Sequence, residues 1–428
     1  MANTYLYRTP SSAGNRKTWT WSAWIKLSDV GVETPFFATP VSTNDTGWFS
    51  IRLNGNSVVI VGLYNTNFIV TNRRLRDTNG WYNICVSFDS TNSTASDRCK
   101  LFINGVRETS FANSSNPTLN QDYNMNNNVF HSIGEEGNTF FNGSMSHVHF
   151  IDGTAYDASA FGSFDNDTGE WSINTSPSVT YGTNGFFIFK DGNSVTDQSG
   201  NSNNFTVSGN LTKTEDNPSN VFCTNNSLWK QESSRYLTHT IGNTMISGGG
   251  SATWYQTPGT LAFNSGKFYW ECKWNASTNL TQNHAGVIDY EKTAQNVQFR
   301  SQTGSVFFTN EDGGELHIDG PATTADYGTL AQNDILGVAV DMDATTPTVK
   351  FYKNGSLHAS TNAASLAGKF VTPAQMIYQS GEFQVNFGNG YFGTTAVSSA
   401  GTNASNNGIF EYDVPSGYTA LSTKGLNL

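Results

Sequence analysis

The residues of this chain whose types could do chemistry are its carboxylates, its few imidazoles and the tryptophans set among polar loops. Two glutamates and an aspartate on one strand face, as E-x-D-x-E or E-x-D-x-x-E, would supply carboxyls about 5 to 5.5 Å apart, the separation a retaining glycoside hydrolase needs. Glu411-Tyr412-Asp413 opens such a run, but Pro415 and Ser416 stand where the third carboxylate should be, and Glu315-Leu316-His317-Ile318-Asp319 has the wrong spacing. No catalytic residue is assigned. Nucleophile-elbow, metalloprotease and P-loop patterns are absent as well. Of seven histidines, His147 and His149 form the close pair and would share a face of a strand. With no carboxylate or thiolate partner in sight they read as ordinary strand histidines, and no metal is assigned. Asp152, Asp157, Asp165 and Asp167 could offer oxygens to calcium in a loop-rich region, but their spacing lacks the EF-hand pattern, so no cofactor is expected.

Saccharide binding asks for aromatic faces against ring C–H groups, with amides or carboxylates against hydroxyls. The loops Thr43-Asn44-Asp45-Thr46-Gly47-Trp48 and Ser251-Ala252-Thr253-Trp254-Tyr255 offer both, which makes Asn44, Asp45, Trp48, Trp254 and Tyr255 the candidate glycan-binding residues. The competing use of tryptophan is as core filling with its N–H satisfied. Net charge is −11, from 23 basic and 34 acidic residues, so a nucleic-acid backbone would be repelled. The densest basic run, Arg73, Arg74 and Arg76, meets Asp77 at once and reads as an ion-paired edge in a connection. Cys85, Cys99, Cys223 and Cys272 form no CxxC pair, which excludes zinc ribbons and thioredoxin-like redox sites and leaves buried thiols. The opening residues carry no signal-peptide pattern and no 18-residue apolar stretch occurs, so neither secretion by a leader nor membrane spanning is expected. Sequons such as Asn92, Asn142 and Asn354 arise by chance in an Asn-rich and Thr-rich chain.

The elements that must position these residues are strands. At 428 residues the chain is long enough for two cores, and 13% aromatic residues with only 13% charged ones describe pleated sheets under a polar, weakly ionised surface. Trp19 to Leu27 alternates with Trp19, Trp21, Ala23, Ile25 and Leu27 on one face, the mark of a half-buried strand. Short strands are also expected at 48–53, 58–64, 81–88, 99–103 and 145–151, then at 267–274, 285–288, 306–309, 335–342, 348–353 and 383–387. Asn104-Gly105 and Asn354-Gly355 each follow an alternating run, and both positions of such a pair accept positive φ, which predicts two tight hairpins. Between the two sets lies a Gly, Asn, Asp and Ser-rich stretch with one clear strand at 185–190. The expected fold is all-β: two antiparallel sandwiches joined by a β-containing connector. The boundaries are 1–156, 157–245 for the connector, 246–395, and 396–428 for a tail packing on the second sandwich.

Three groups of segments carry family resemblances. The N-terminal half, through Trp19 to Leu27, Gly80-Trp81-Tyr82-Asn83-Ile84, Lys100 to Gly105, His131-Ser132-Ile133-Gly134 and Phe141 to Gly153, resembles laminin-G-like domains of the concanavalin A-like lectin/glucanase class. Ser265 to Glu271, Asp334 to Asp341, Val349 to Gly355, Phe370 to Ala374 and Val385-Asn386-Phe387-Gly388 resemble a SPRY domain. Phe161 to Phe164, Tyr181 to Phe186, Asp197 to Asn201 and the tail Phe410 to Leu421 are similar to virion proteins of marine tailed bacteriophages. That last resemblance implies a non-enzymatic structural protein on the virion surface, made in the host cytoplasm: a spike, head fibre, capsid decoration or tail fibre. Its implied partners are other virion proteins and host-surface polysaccharide, in a homo-oligomer such as a trimer, with no nucleic acid and no membrane. The alternatives are a virion-associated polysaccharide depolymerase and a purely architectural subunit.

Overall fold

The computed structural model describes residues 3–40, 47–190, 194–231, 235–276, 282–293, 297–323 and 325–427. The fold is all-β, and helical structure among these residues is confined to three-residue 3₁₀ turns. None of the helices is long and apolar enough to cross a membrane. Two compact units divide the chain, Met1–Lys213 and Thr214–Leu428, and each is an antiparallel β-sandwich.

In the first unit an eight-stranded sheet runs in the order Phe111–Ser114, Asn67–Arg74, Val58–Leu63, Phe49–Leu53, Thr34–Ala38, His131–Ile133, Tyr5–Arg8, Thr206–Ser208. It faces a six-stranded sheet ordered Phe186–Ile188, Gly143–Asp152, Thr18–Leu27, Tyr82–Asp89, Cys99–Ile103, Val106–Arg107. Alternation puts Trp19, Trp21, Ala23, Ile25 and Leu27 between the sheets, where Trp19 stacks on Phe88 at 4.8 Å and meets Phe49 of the opposite sheet edge-on at 5.3 Å. The strand Thr18–Leu27 differs from the half-buried expectation in being buried on both faces. A second apolar layer causes this: Tyr156, Ala158, Phe161, Trp171 and Tyr181 lie over Cys85, Phe102 and Ile151 on the outer side of the six-stranded sheet. Core tryptophans also depart from the rule that a buried N–H is satisfied, since Nε1 of Trp19, Trp21 and Trp270 has no partner among the described residues. Their ring burial outweighs an unmade bond: roughly 150–250 Å² per ring at about 25 cal/mol per Å² gives about 4–6 kcal/mol against about 1–3 for the bond.

The second unit pairs Thr238–Thr240, Met245–Ser247, Gly381–Asn386, Lys267–Ala276, Ile335–Asp341, Thr348–Lys353 and Ser356–Asn362 in one sheet, with Thr419–Ala420 added parallel to Lys267–Ala276. A five-stranded sheet faces it: Trp254–Pro258, Val371–Tyr378, Asn283–Asp289, Ser305–Thr309, Glu315–Ile318. Trp274 and Phe308 meet edge-on at 6.2 Å across the core. Outside the larger sheet, Phe410, Val414 and Tyr418 of the tail are buried with Tyr269, and the tail is pinned by a buried carboxylate: Glu271 accepts the backbone N–H groups of Glu411 and Tyr412, both at 2.9 Å.

Both Asn-Gly pairs form the tight hairpins predicted. Asn104 and Gly105 have φ of 47° and 75° between the paired Ile103 and Val106, and Asn354 and Gly355 have 48° and 81° between Lys353 and Ser356. The stretch expected as a connector is divided between the units. Phe186–Ile188 pairs with Gly143–Asp152 and Thr206–Ser208 with Tyr5–Arg8 in the first unit, while Cys223 donates its backbone N–H to Leu421 in the second. Arg73 and Arg74 end the strand Asn67–Arg74 rather than lying in a connection, and Arg73 pairs with Glu108 at 2.9 Å. The four cysteines are buried and not joined in disulfides, and burial pushes the thiols of Cys85, Cys99 and Cys272 up, that of Cys99 to about 12.

Candidate functional site

The first unit carries an aromatic site on the outer side of its eight-stranded sheet. Phe49, Ile51 and Leu53 point into the core, so alternation sends Ser50 and Arg52 outward on the strand Phe49–Leu53, and Trp48 immediately precedes it. A short hairpin, Glu135–Glu136 paired with Thr139–Phe140, sets Glu136 among them. Glu136 Oε1 accepts from Trp48 Nε1 at 2.6 Å and from Arg52 Nη1 at 3.2 Å, while Arg52 Nε faces the half-exposed Glu33 at 3.2 Å. Glu136 Oε2 is buried without a partner among the described residues. Burial pushes the Glu136 carboxyl above its ordinary range, opposed by the Arg52 charge and the Trp48 hydrogen bond. Gly137, at φ 56°, packs so closely on Trp48 that a Cβ there would fall 3.1 Å from the ring. The Trp48 ring meets Tyr64 at 5.3 Å and 42°, and Tyr64 is 46% exposed. The two rings therefore make a tilted, solvent-facing pair above a carboxylate and a guanidinium.

A second aromatic row belongs to the same unit. Tyr5 and Tyr7 flank the core residue Leu6, lie 5.9 Å apart, and continue into Phe140 at 6.0 Å and Phe130 at 5.7 Å. All four rings are half-buried. Tyr5, Tyr7, Tyr64, Arg52, Glu136, Phe130 and Phe140 were not picked out from the sequence, because folding brings them together from separate strands and a hairpin.

The second unit gathers a different set on the outer side of its five-stranded sheet. Glu315 and His317 sit two apart on one strand, with the core residue Leu316 between them, and Glu315 lies across from Thr309, which lies across from His284. Glu311 reaches them from the 3₁₀ turn Glu311–Gly313. His317 Nε2 is 3.1 Å from Glu315 Oε1 and 3.7 Å from Glu311 Oε2, and His317 Nδ1 lies 3.1 Å from the Gly320 carbonyl. Burial works against a charge on His317, but the Glu311 carboxylate and the Gly320 carbonyl outweigh it and raise its pKa. The fully buried His284 is pulled down to about 4, chiefly by burial. Arg300 donates to Glu311 and lies 4.5 Å over the face of Trp254, while His284 meets that ring edge-on at 4.8 Å.

Of the sequence-derived candidates, Asn44 and Asp45 lie outside the described residues. Trp48 reaches the surface beside Tyr64. Trp254 is half-buried under Arg300, and Tyr255 is 2% exposed, because consecutive strand residues point to opposite faces and its ring lies beneath Gly248 and Gly249. Trp254 and Tyr255 are thus not one binding surface. His149 stacks on Phe187 at 4.0 Å with Nδ1 at 2.9 Å from the Tyr181 hydroxyl, and His147 Nδ1 lies 2.8 Å from the Ser146 hydroxyl. Asp152 accepts from Asn15, Asn126 and Asn184, Asp157 pairs with Lys100, and Asp165 accepts the backbone N–H groups of Asp167 and Thr168. These carboxylates serve separate local structures. Glu411 and Asp413 likewise turn to Ser398 and Thr402.

Residues 2–160 match the family described as the concanavalin A-like lectin/glucanases superfamily. That match ends before Phe186–Ile188 and Thr206–Ser208, the strands that complete the first sandwich. No curated protein matches the chain. Among solved structures it is similar to the TRIM65 PSpry domain, at 15% identity over 38% of this chain and 88% of that one, with a TM-score of 0.31. A human SPRY domain is similar at 18% identity, over 35% of this chain and 95% of that one, with a TM-score of 0.28. Stonustoxin is similar at 20% identity over 38% of this chain and 27% of its own, with a TM-score of 0.30.

Proposed function

We propose that the chain is a non-enzymatic binding and display protein whose first sandwich holds a saccharide on the outer face of its eight-stranded sheet. The observation that carries this is the Trp48 and Tyr64 pair above Arg52 and Glu136. Aromatic faces take up sugar C–H surfaces, and the guanidinium and carboxylate supply donors and acceptors for hydroxyls. Binding here needs no bond cleavage: the carboxylates nearest the rings, Glu136 and Glu33, are both turned to Arg52.

The wider reading is a virion surface protein, a spike, head fibre, capsid decoration or tail fibre, presenting this face to host polysaccharide from a homotrimer docked on other virion proteins. The phage-like segments from Phe161 to Asn201 and from Phe410 to Leu421 support it by resemblance. Its test is retention of the full chain on immobilised host-surface polysaccharide, with release of reducing ends followed in parallel. Retention without release is expected. Release would make the chain a depolymerase, and neither retention nor release would leave an architectural subunit in place of a binder. Immunogold labelling of intact particles with an antibody to the second unit tests the virion reading, which predicts label on capsid or tail and fails without it.

A further inference from the structure

We propose that Glu311, Glu315 and His317 form a binding site for one divalent cation of the zinc class. Their three ligand atoms lie within 4.8 Å of one another, and all three residues are buried or half-buried. Donors at about 2.0–2.1 Å from a tetrahedral ion stand roughly 3.3–3.4 Å apart. The separations of 3.1 Å from His317 to Glu315 and 3.7 Å from His317 to Glu311 bracket that value. The Glu311 and Glu315 oxygens, within 4.8 Å of each other, must close to the same value, so side-chain movement of up to about 1.4 Å completes the set.

The supporting shell is already built. His317 Nδ1 is engaged by the Gly320 carbonyl, the backbone partner that ligating histidines commonly use, and this directs Nε2 at the two carboxylates. Strand alternation fixes Glu315 and His317 on one face, while Asp312, Gly313 and Gly314, with φ of 44°, 91° and 93°, turn the chain so that Glu311 folds back over them. The guanidinium of Arg300 now bonded to Glu311 keeps a second resting place on the Trp254 ring when Glu311 turns to the ion. His284, with Nε2 at 3.7 Å from Glu311 Oε1, stands next to the site on the neighbouring strand. One imidazole and two carboxylates suit zinc, which accepts mixed nitrogen and oxygen sets of three protein ligands, better than calcium, which takes six to eight oxygens. This inference is independent of the saccharide reading, which concerns the other unit.

The test is isothermal titration of the untagged full chain with zinc chloride and, in parallel, calcium chloride. Wild type, Glu315→Gln, His317→Gln and the control His358→Gln would be compared, with unfolding curves in chelator checking that the variants fold alike. One zinc per chain is expected for wild type and control, with affinity falling at least about tenfold in each ligand variant and no matching calcium heat. Visible absorption of the wild type with cobalt(II) gives a readout that needs no variant, and the intense bands of a four-coordinate ion are expected. Absence of zinc binding, unchanged affinity in both ligand variants, or a cobalt spectrum identical to the free aqueous ion would overturn the proposal.

Discussion

Each sandwich builds tryptophan, arginine and glutamate into the outer side of one sheet, and the two sets reach opposite outcomes. In the first unit the carboxylate takes the indole N–H of Trp48 and the guanidinium lies beside the carboxylate, which leaves the ring open toward Tyr64. In the second unit the guanidinium lies on the ring itself, 4.5 Å over Trp254, while also bonding the Glu311 carboxylate, which faces two histidines at 3.7 Å. Residue types alone do not make a sugar site; what matters is which partner holds the aromatic face. An open face can stack on a saccharide, whereas a covered face helps organise charged groups that suit an ion.

The largest effect expected from breaking this contrast is Trp48→Ala. Loss of a central tryptophan anchor of about 2 kcal/mol weakens polysaccharide binding roughly thirtyfold, while Trp254→Ala changes it less than about twofold. Surface plasmon resonance on one polysaccharide decides, and the reverse ranking would remove the distinction between the sites. Next comes Glu271, which is specific to the second unit. Burial raises its carboxyl to about 7 despite the N–H groups of Glu411 and Tyr412 that favour the charge. A folded value above the ordinary 4.5 means the folded state holds the proton more tightly, so the second unit loses stability as pH rises through that window. Glu271→Gln should abolish that slope and cost about 1–3 kcal/mol above it, because the amide oxygen accepts one tail N–H and leaves the other facing an NH2 donor. Hydrogen exchange at Glu411 and Tyr412 reports it, and a slope unchanged in the variant would show that another group titrates.

Smaller effects sharpen the comparison. Tyr64→Ala removes the second ring of the open pair and should weaken saccharide binding by about 0.5–1.5 kcal/mol, roughly two- to tenfold, without altering the melting temperature. Arg300→Met uncovers Trp254 while keeping an apolar stem. It should cost the second unit about 0.5–1 kcal/mol in denaturant unfolding and leave polysaccharide affinity unchanged. A loss of affinity in Arg300→Met would mean that the covered site also contributes.

The sandwich class was legible because its signals are local. Alternation at Trp19 to Leu27 and the two Asn-Gly pairs act over a few residues, and both hairpins formed as the chemistry requires. The strand Val371–Tyr378 was harder to see, since Pro373 interrupts its pattern. The second buried face of Thr18–Leu27 was hidden because the residues covering it come from a loop-rich stretch over 130 positions later. At the sites, Trp48 could be chosen from its polar neighbours, but Glu136 and Tyr64 could not, since only the hairpin and the next strand bring them near. Glu315 and His317 stood in the sequence only within a carboxylate run of the wrong spacing, since no strand was expected at Glu315–Ile318, and Glu311 joins them through left-handed turn residues that spacing alone does not suggest.

The most direct test of the central claim is an NMR titration of the indole N–H resonances of the full chain with oligomers of the host-surface polysaccharide, using Trp48→Phe and Trp254→Phe for assignment. The account predicts a saturating shift of the Trp48 Nε1–H signal with the Trp254 signal unmoved. A saturating shift of Trp254 with Trp48 silent, or no shift in either at concentrations that saturate retention, would contradict it.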